Sequence, residues 1–595
     1  MSTQLKARSE MDSRFQWNLS DIFKDAQAFE AAIVQAKSGI DQIKKLQGTV
    51  ARDPKKPIVE YYKLMEQIEK LYAYAMMQHD SDGSNADYMS DLGRMQSLAT
   101  EAETAVSWLT PELLELPEEK LKSLRNDPDF QDYQTFIDEV LRDRPHILPA
   151  DQEQLLAMAS ESLQTPSSAF RALSDVELPM PEITDESGQK VQLSHGRYQS
   201  FLRSKDRNVR KAAFEGLHGA YRDFGRTFAA LYSGSVKKHV FNARVRHFSS
   251  AIESSLYPDQ VPLSVYDNLI TAVDEALPAL DRYLDIRKKL LGLDELHMYD
   301  LYVPMISGVQ FPVTYEDAQK LVLEALSPLG QEYTDVLRRA FAERWIDVYE
   351  NKAKRSGAYS NGVYGVHPYV LMNFENNLDS ASTLAHELGH TMHSWYSDKC
   401  QPFPKAGYSL FVAEVASTVN EVLLNRYLQE KHSDNKELVK YLLNDLLESF
   451  RATVIRQTMF AAFEKRSHEM AEQGAPLTRE SLSEAYYELN KHYYGRGVHV
   501  DDVIAYEWMR IPHFYRDFYV YKYATSFSAS VSIADAILTG GSEAVDRHLR
   551  FLSLGGSVPP LEALKTDGVD MSTISPVREA MAIFAQTVDR LESML

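Results

Sequence analysis

His386-Glu387-Leu388-Gly389-His390 constrains this chain more than any other stretch. Residues at i and i+4 lie roughly 40° apart around a helix, so two such imidazoles can meet one ion only if the segment is helical. Glu387 is turned about 100° from His386, too far round to be a comfortable ligand but near enough to touch a metal-bound water. Asn377-Leu378-Asp379-Ser380 supplies N-cap residues, and the run Ala381 to Trp395 has no proline and no breaker except Gly389. A helix is expected across the motif. Gly389 costs about 1 kcal/mol of helix stability there, which a close approach by a second element would explain.

A catalytic zinc site takes three protein ligands and keeps one position for water. After a break at Gln401-Pro402-Phe403-Pro404-Lys405-Ala406-Gly407, a second helix is expected over Phe411 to Glu421, with Glu414 on an apolar first turn. A carboxylate there is costly to bury unless paired or bound to metal, which makes Glu414 the candidate third ligand. His393 competes for that role but stands roughly 10 Å along the helix from His386. Metal-bound imidazoles usually have a partner on the second nitrogen, and Glu421, Ser417 and Thr418 are the candidates.

Composition sets the frame for this motif. At 595 residues the chain far exceeds the size at which a core is marginal, and 44% hydrophobic with 25% charged residues is ordinary for a globular protein. The net charge of −21 disfavours a nucleic-acid or anionic-membrane role. The single cysteine, Cys400, excludes an intramolecular disulfide, and its reading is a small loop residue rather than a regulatory thiol. The first residues carry no apolar signal segment, and no run is long enough to span a bilayer, so the cytoplasm is the expected compartment.

Most of the chain has helical periodicity. Ile58, Leu64, Ile68 and Leu71 recur at helical steps, and helices are expected over residues 208–221, 226–242, 264–290 (kinked at Pro278), 315–326 and 331–344. A small hairpin is expected from Glu182-Ile183-Thr184 and Lys190-Val191-Gln192 around Asp185-Glu186-Ser187-Gly188. The change of pattern there suggests a division into residues 1–195 and 196–595. Tyr369 to Phe374 is strand-forming behind Pro368, which favours a strand start or an edge; as an edge strand it would receive an extended peptide at Tyr369, Leu371 and Asn373, and otherwise it only packs. Further on, Tyr493 to Val498 is a glycine-bearing loop, and an aromatic run holds His513, Tyr521 and Tyr523.

Taken together, these residues resemble the thimet-oligopeptidase family of zinc metallopeptidases, in its oligoendopeptidase F branch. Besides His386 to Glu414 and the run around His513, the likeness extends to Arg14-Phe15-Gln16-Trp17-Asn18-Leu19-Ser20-Asp21, His195-Gly196-Arg197-Tyr198, Leu296 to Tyr302 and Leu564 to Met571. The resemblance implies a mainly α, elongated, two-lobed protein with a deep central channel and a small β-sheet beside the zinc helix. It implies one Zn2+ per chain on His386, His390 and Glu414, with Glu387 as general base. The family's transition-state His-Tyr pair matches His513 and Tyr523; the spacing is shorter than in the thimet type, which leaves Tyr521 as a competing candidate. The expected activity is hydrolysis of internal bonds in short unstructured peptides. A dipeptide-releasing zinc carboxypeptidase is the alternative within the enzymes. A non-catalytic peptide-binding protein with a structural metal is the alternative outside them, and Glu387 argues against it, because a structural site needs no base.

Overall fold

The computed structural model describes residues 5–306 and 311–595. The chain is mainly α-helical, with a two-stranded and a three-stranded sheet among the described residues. It divides into two compact units: residues 1–145, 310–428 and 533–569 form one, and residues 146–309, 429–532 and 570–595 the other. Contacts therefore divide the chain differently from a single cut at 195/196, which lies within the second unit.

In the first unit, helices Ala26–Lys44, Lys55–Ser81 and Ala86–Val106 bury one stripe each. Phe29, Ile33, Ile40, Leu64, Leu71, Met95 and Leu98 share one core, as their three- and four-residue spacing requires. A second cluster ties this helical layer to the larger sheet: Trp17, Ala73 and Met77 pack with Val363, Tyr369 and Leu371. That sheet runs in the order β3 (Ile346–Asp347), β5 (Tyr369–Leu371), β4 (Tyr359–Asn361). β3 is parallel to β5, in register Ile346 with Val370, and β4 is antiparallel to it, in register Ser360 with Val370.

The strand order corrects an expectation. β5 is the central strand, hydrogen-bonded on both sides, so its backbone has no free edge for a peptide. Tyr369 and Leu371 are fully buried, and the Tyr369 hydroxyl donates to the Asn18 carbonyl at 3.0 Å. The Asn373 amide donates to the carbonyls of Arg355 at 3.0 Å and Gly357 at 2.8 Å, which fixes the loop before β4. These three residues build the sheet; of its two outer strands, β3 is buried and β4 has half-buried residues.

The second unit contains the expected hairpin, β1 (Glu182–Thr184) and β2 (Lys190–Gln192), antiparallel with Ile183 opposite Val191. It lies on helix Arg207–Asp223, where a Cβ on Gly216 would stand 3.1 Å from Pro181. The change of pattern at Leu178-Pro179-Met180-Pro181 thus marks a local hairpin on a helix. Helix Leu263–Leu290 runs through Pro278 as one element and packs along Ser575–Ser593. Two ion-pair groups, partly buried, tie this unit together. Asp300 receives Arg207 at 2.8 Å and Arg210 at 2.7 Å, and Glu448 receives Arg287 at 3.0 Å and Arg451 at 2.8 Å.

Candidate metal centre and active site

The motif lies on helix α1 (Leu378–Cys400), capped by the Asn377 side chain, which accepts from the Ser380 amide at 2.8 Å. After a short helical turn at Phe403–Ala406, the chain returns as helix α2 (Leu410–Lys431). Gly389 lets the two helices meet. A Cβ at this position would stand 2.5 Å from the Ala416 carbonyl oxygen and 2.5 Å from the Ser417 Cα, closer than real atoms approach. The contact is further tied by Asn420, whose amide donates to the Ala385 carbonyl at 3.1 Å and whose own carbonyl accepts from Tyr333 at 3.1 Å.

This approach brings both ligand imidazoles onto Glu414. The Nε2 atoms of His386 and His390 each lie 3.4 Å from the same Glu414 Oε2, and the rings stand 80° apart. Ligand atoms about 2.0–2.2 Å from a tetrahedral zinc are separated by roughly 3.3–3.5 Å, so the three residues fit such an ion. Glu414 and Glu421 are seven residues apart on α2, two turns along one face. Glu421 Oε1 accordingly reaches the other nitrogen of His386, Nδ1, at 2.9 Å. Ser417 turns to the carboxylate ligand instead, donating to Glu414 Oε2 at 3.1 Å, and Thr418 is buried within the helix.

The electrostatics favour a cation at this point. Burial opposes charge on His386, but hydrogen bonds to Glu414 and Glu421 outweigh it and push the ring up to about 10. Burial would likewise raise Glu414, yet the hydrogen bonds from both imidazoles hold it well below the carboxylate range. Glu387 is 6% exposed, and burial raises its carboxyl against the pull of the two neighbouring imidazoles. One turn on, Thr391 donates to the Glu387 carbonyl at 2.9 Å and meets Ser360 of β4 at 3.0 Å. His393 is not in this group: it stacks on Tyr408 at 3.6 Å, buried against Phe551.

The His-Tyr candidates belong to the second unit. His513 is exposed and Tyr523 half-buried, with the Tyr523 hydroxyl 3.5 Å from His513 Nε2. Tyr521 is fully buried, its ring 5.1 Å from that of Tyr266. It is a core residue, and among the two tyrosines only Tyr523 offers its side chain to solvent. Sequence reasoning missed Asn420 and Thr391. A buried amide in the apolar run of α2 was the available signal for the first, and Thr391 left none.

Residues 200–583 match the model of peptidase family M3, and residues 112–179 match a model described as oligopeptidase F. Oligopeptidase PepF of Bacillus subtilis is 43% identical over the whole of this chain and 89% of its own length. Group B oligopeptidase PepB of Streptococcus agalactiae is 37% identical over 99% of this chain and 98% of its own. Among solved structures, a peptidase of Chlamydophila abortus superposes with a TM-score of 0.93 at 35% identity, covering 100% of both chains. The oligoendopeptidase F of Enterococcus faecium gives 0.74 at 36% identity, over 96% of this chain and 99% of that one. The chain belongs to peptidase family M3, a family of zinc metallopeptidases. Within it the chain stands in the oligoendopeptidase F branch and is an endopeptidase of oligopeptides. No helix among the described residues is long and apolar enough to cross a membrane.

Proposed function

We propose that the chain is a zinc-dependent endopeptidase that hydrolyses internal bonds of short unstructured peptides, with one catalytic ion held by His386, His390 and Glu414. The carrying observation is the convergence of both Nε2 atoms on one Glu414 oxygen at 3.4 Å. A zinc ion bound there supplies Lewis acidity, polarising the scissile carbonyl and bringing the pKa of its water towards about 7.

The remaining work belongs to the chain's own groups. Glu387 accepts a proton from the attacking water and passes it to the departing amine; a carboxyl raised by burial is suited to both tasks. Glu421 fixes the His386 ring through Nδ1, and Ser417 fixes the Glu414 carboxylate. An extended peptide pairs with the outer strand β4, which the Ser360–Thr391 contact holds one turn from Glu387. Tyr523, with His513 beside its hydroxyl, donates to the developing oxyanion.

The test is a peptide with an amidated C-terminus, incubated with and without a chelator and with the Glu387→Gln variant. Internal cleavage that stops with chelator, and a variant that keeps its zinc but loses turnover at least about 10²-fold, is the expected result. Release of C-terminal dipeptides only, or normal turnover by Glu387→Gln, would overturn the reading.

A further inference from the structure

The second unit carries another group with the chemistry of a metal site, far along the sequence from the motif helix. His297, His499 and Asp501 can each place one ligand atom within 4.8 Å of the others. The backbone brings them together: His297 and His499 face each other in an isolated parallel bridge, with the His499 amide donating to the Leu296 carbonyl at 2.7 Å. The Met298 amide donates to Asp501 at 3.0 Å, and the two rings lie 4.7 Å apart. Glu295 approaches both imidazoles, 3.4 Å from His297 Nε2 and 3.8 Å from His499 Nδ1.

His297, like His386, has a carboxylate at each ring nitrogen, here with Asp501 on the side of the ion and Glu295 at the opposite nitrogen. Each ring has a carboxylate 3.4 Å from Nε2, Glu414 in one case and Glu295 in the other. Each has a second carboxylate on Nδ1, Glu421 at 2.9 Å and Asp501 at 2.8 Å. A hydrogen-bonded His-Asp pair alone would not call for a second imidazole at the same point. Two imidazoles and a carboxylate suit zinc and neighbouring divalent ions rather than magnesium or calcium, which take oxygen ligands.

We propose that His297, His499 and Asp501 form a second zinc-class site whose role is to clip a loop. His499 and Asp501 follow the loop containing Gly495 and Gly497, whereas Glu295 and His297 precede Asp300, which is anchored in the core by Arg207 and Arg210. An ion on these donors ties the glycine-bearing loop to that anchored segment. His499 is half exposed, so its removal leaves the fold intact.

The experiment is a zinc count on the full chain after equilibration with zinc and removal of loosely held ions by a weak chelator. The intact protein, His499→Ala and His390→Ala are compared. Two ions per chain falling to one in each variant is expected, with peptidase turnover kept in His499→Ala. Thermal stability of His390→Ala should still rise with added zinc, and that rise should vanish when His499→Ala is added. One ion in both the intact protein and His499→Ala, or two ions in both, overturns the proposal. One ion retained in His390→Ala but none in His499→Ala leaves this site standing and removes the other.

Discussion

Glu421 Oε1 lies 2.9 Å from Nδ1 of His386, on the side of the ring opposite Glu414. The carboxylate accepts from Nδ1–H, so Nε2 is left with its lone pair directed at the ion, in the tautomer a ligand must adopt. Glu421→Gln retains the size of the side chain but removes its charge, and should weaken zinc binding about 10–100-fold. Competition against a chromophoric chelator reads this directly. Turnover should recover at saturating zinc; affinity equal to that of the unmodified protein would show that the contact does not tune the ligand.

Gly389 gives the second prediction. In an exposed helix, replacing glycine with alanine gains up to about 1 kcal/mol. Here the new Cβ would meet the Ala416 carbonyl and the Ser417 Cα at 2.5 Å, backbone atoms that no rotamer change can move. Gly389→Ala should therefore lower stability by about 1–3 kcal/mol and spread α1 from α2. Because Glu414 is carried by the displaced helix, zinc content should fall as well. A thermal midpoint and a metal count at or above the unmodified protein's would contradict this packing.

The parts of the site legible in the sequence are those whose spacing is set by one helix. His386 and His390 follow from the four-residue step, whereas Glu421 stood only as one of three candidate partners of an imidazole, beside Ser417 and Thr418. The glycine inside the motif announced a close neighbour before that neighbour was known. The strand order was not legible, for a physical reason. β3 and β4 are two and three residues long, too short for an alternating pattern, and their pairing with β5 is decided by contacts remote in sequence. Pro368 allowed a strand start or an edge, and it is the start that holds: it precedes the first paired residue, a position that proline can occupy in any strand. The two units were hidden for a similar reason: each is assembled from three separated segments, which no local change of composition marks.

Tyr523 and His513 allow a kinetic prediction. Their side chains meet at 3.5 Å, with rings 84° apart, whereas Tyr521 is enclosed in the core. Partial desolvation of the otherwise exposed ring, reinforced by the charge of Arg516, lowers the His513 pKa and so favours the neutral form as a hydrogen-bond partner. If Tyr523 donates to the oxyanion, Tyr523→Phe should reduce kcat about 10²–10³-fold while KM changes much less. Tyr521→Phe should leave kcat nearly intact. An unchanged kcat in Tyr523→Phe would move the role to His513.

The last prediction concerns stability and pH. Asp398, near the end of α1, has its pKa pushed up to about 7, chiefly by burial and further by the negative charge of Glu69. An unfolded chain releases this proton near pH 4, whereas the folded chain holds it until about pH 7. Between these limits the folded state binds more protons, so the contribution of Asp398 to stability is fully present below about pH 4 and is lost as pH rises to 7. The loss is on the order of 2–4 kcal/mol, reduced by whatever solvent reaches the partly exposed group. Asp398→Asn cannot ionise, so denaturant titrations should find it more stable than the parent at pH 8 and close to it at pH 4. Equal stabilities at both pH values would show that the carboxylate is relieved by solvent or by a partner that moves to meet it.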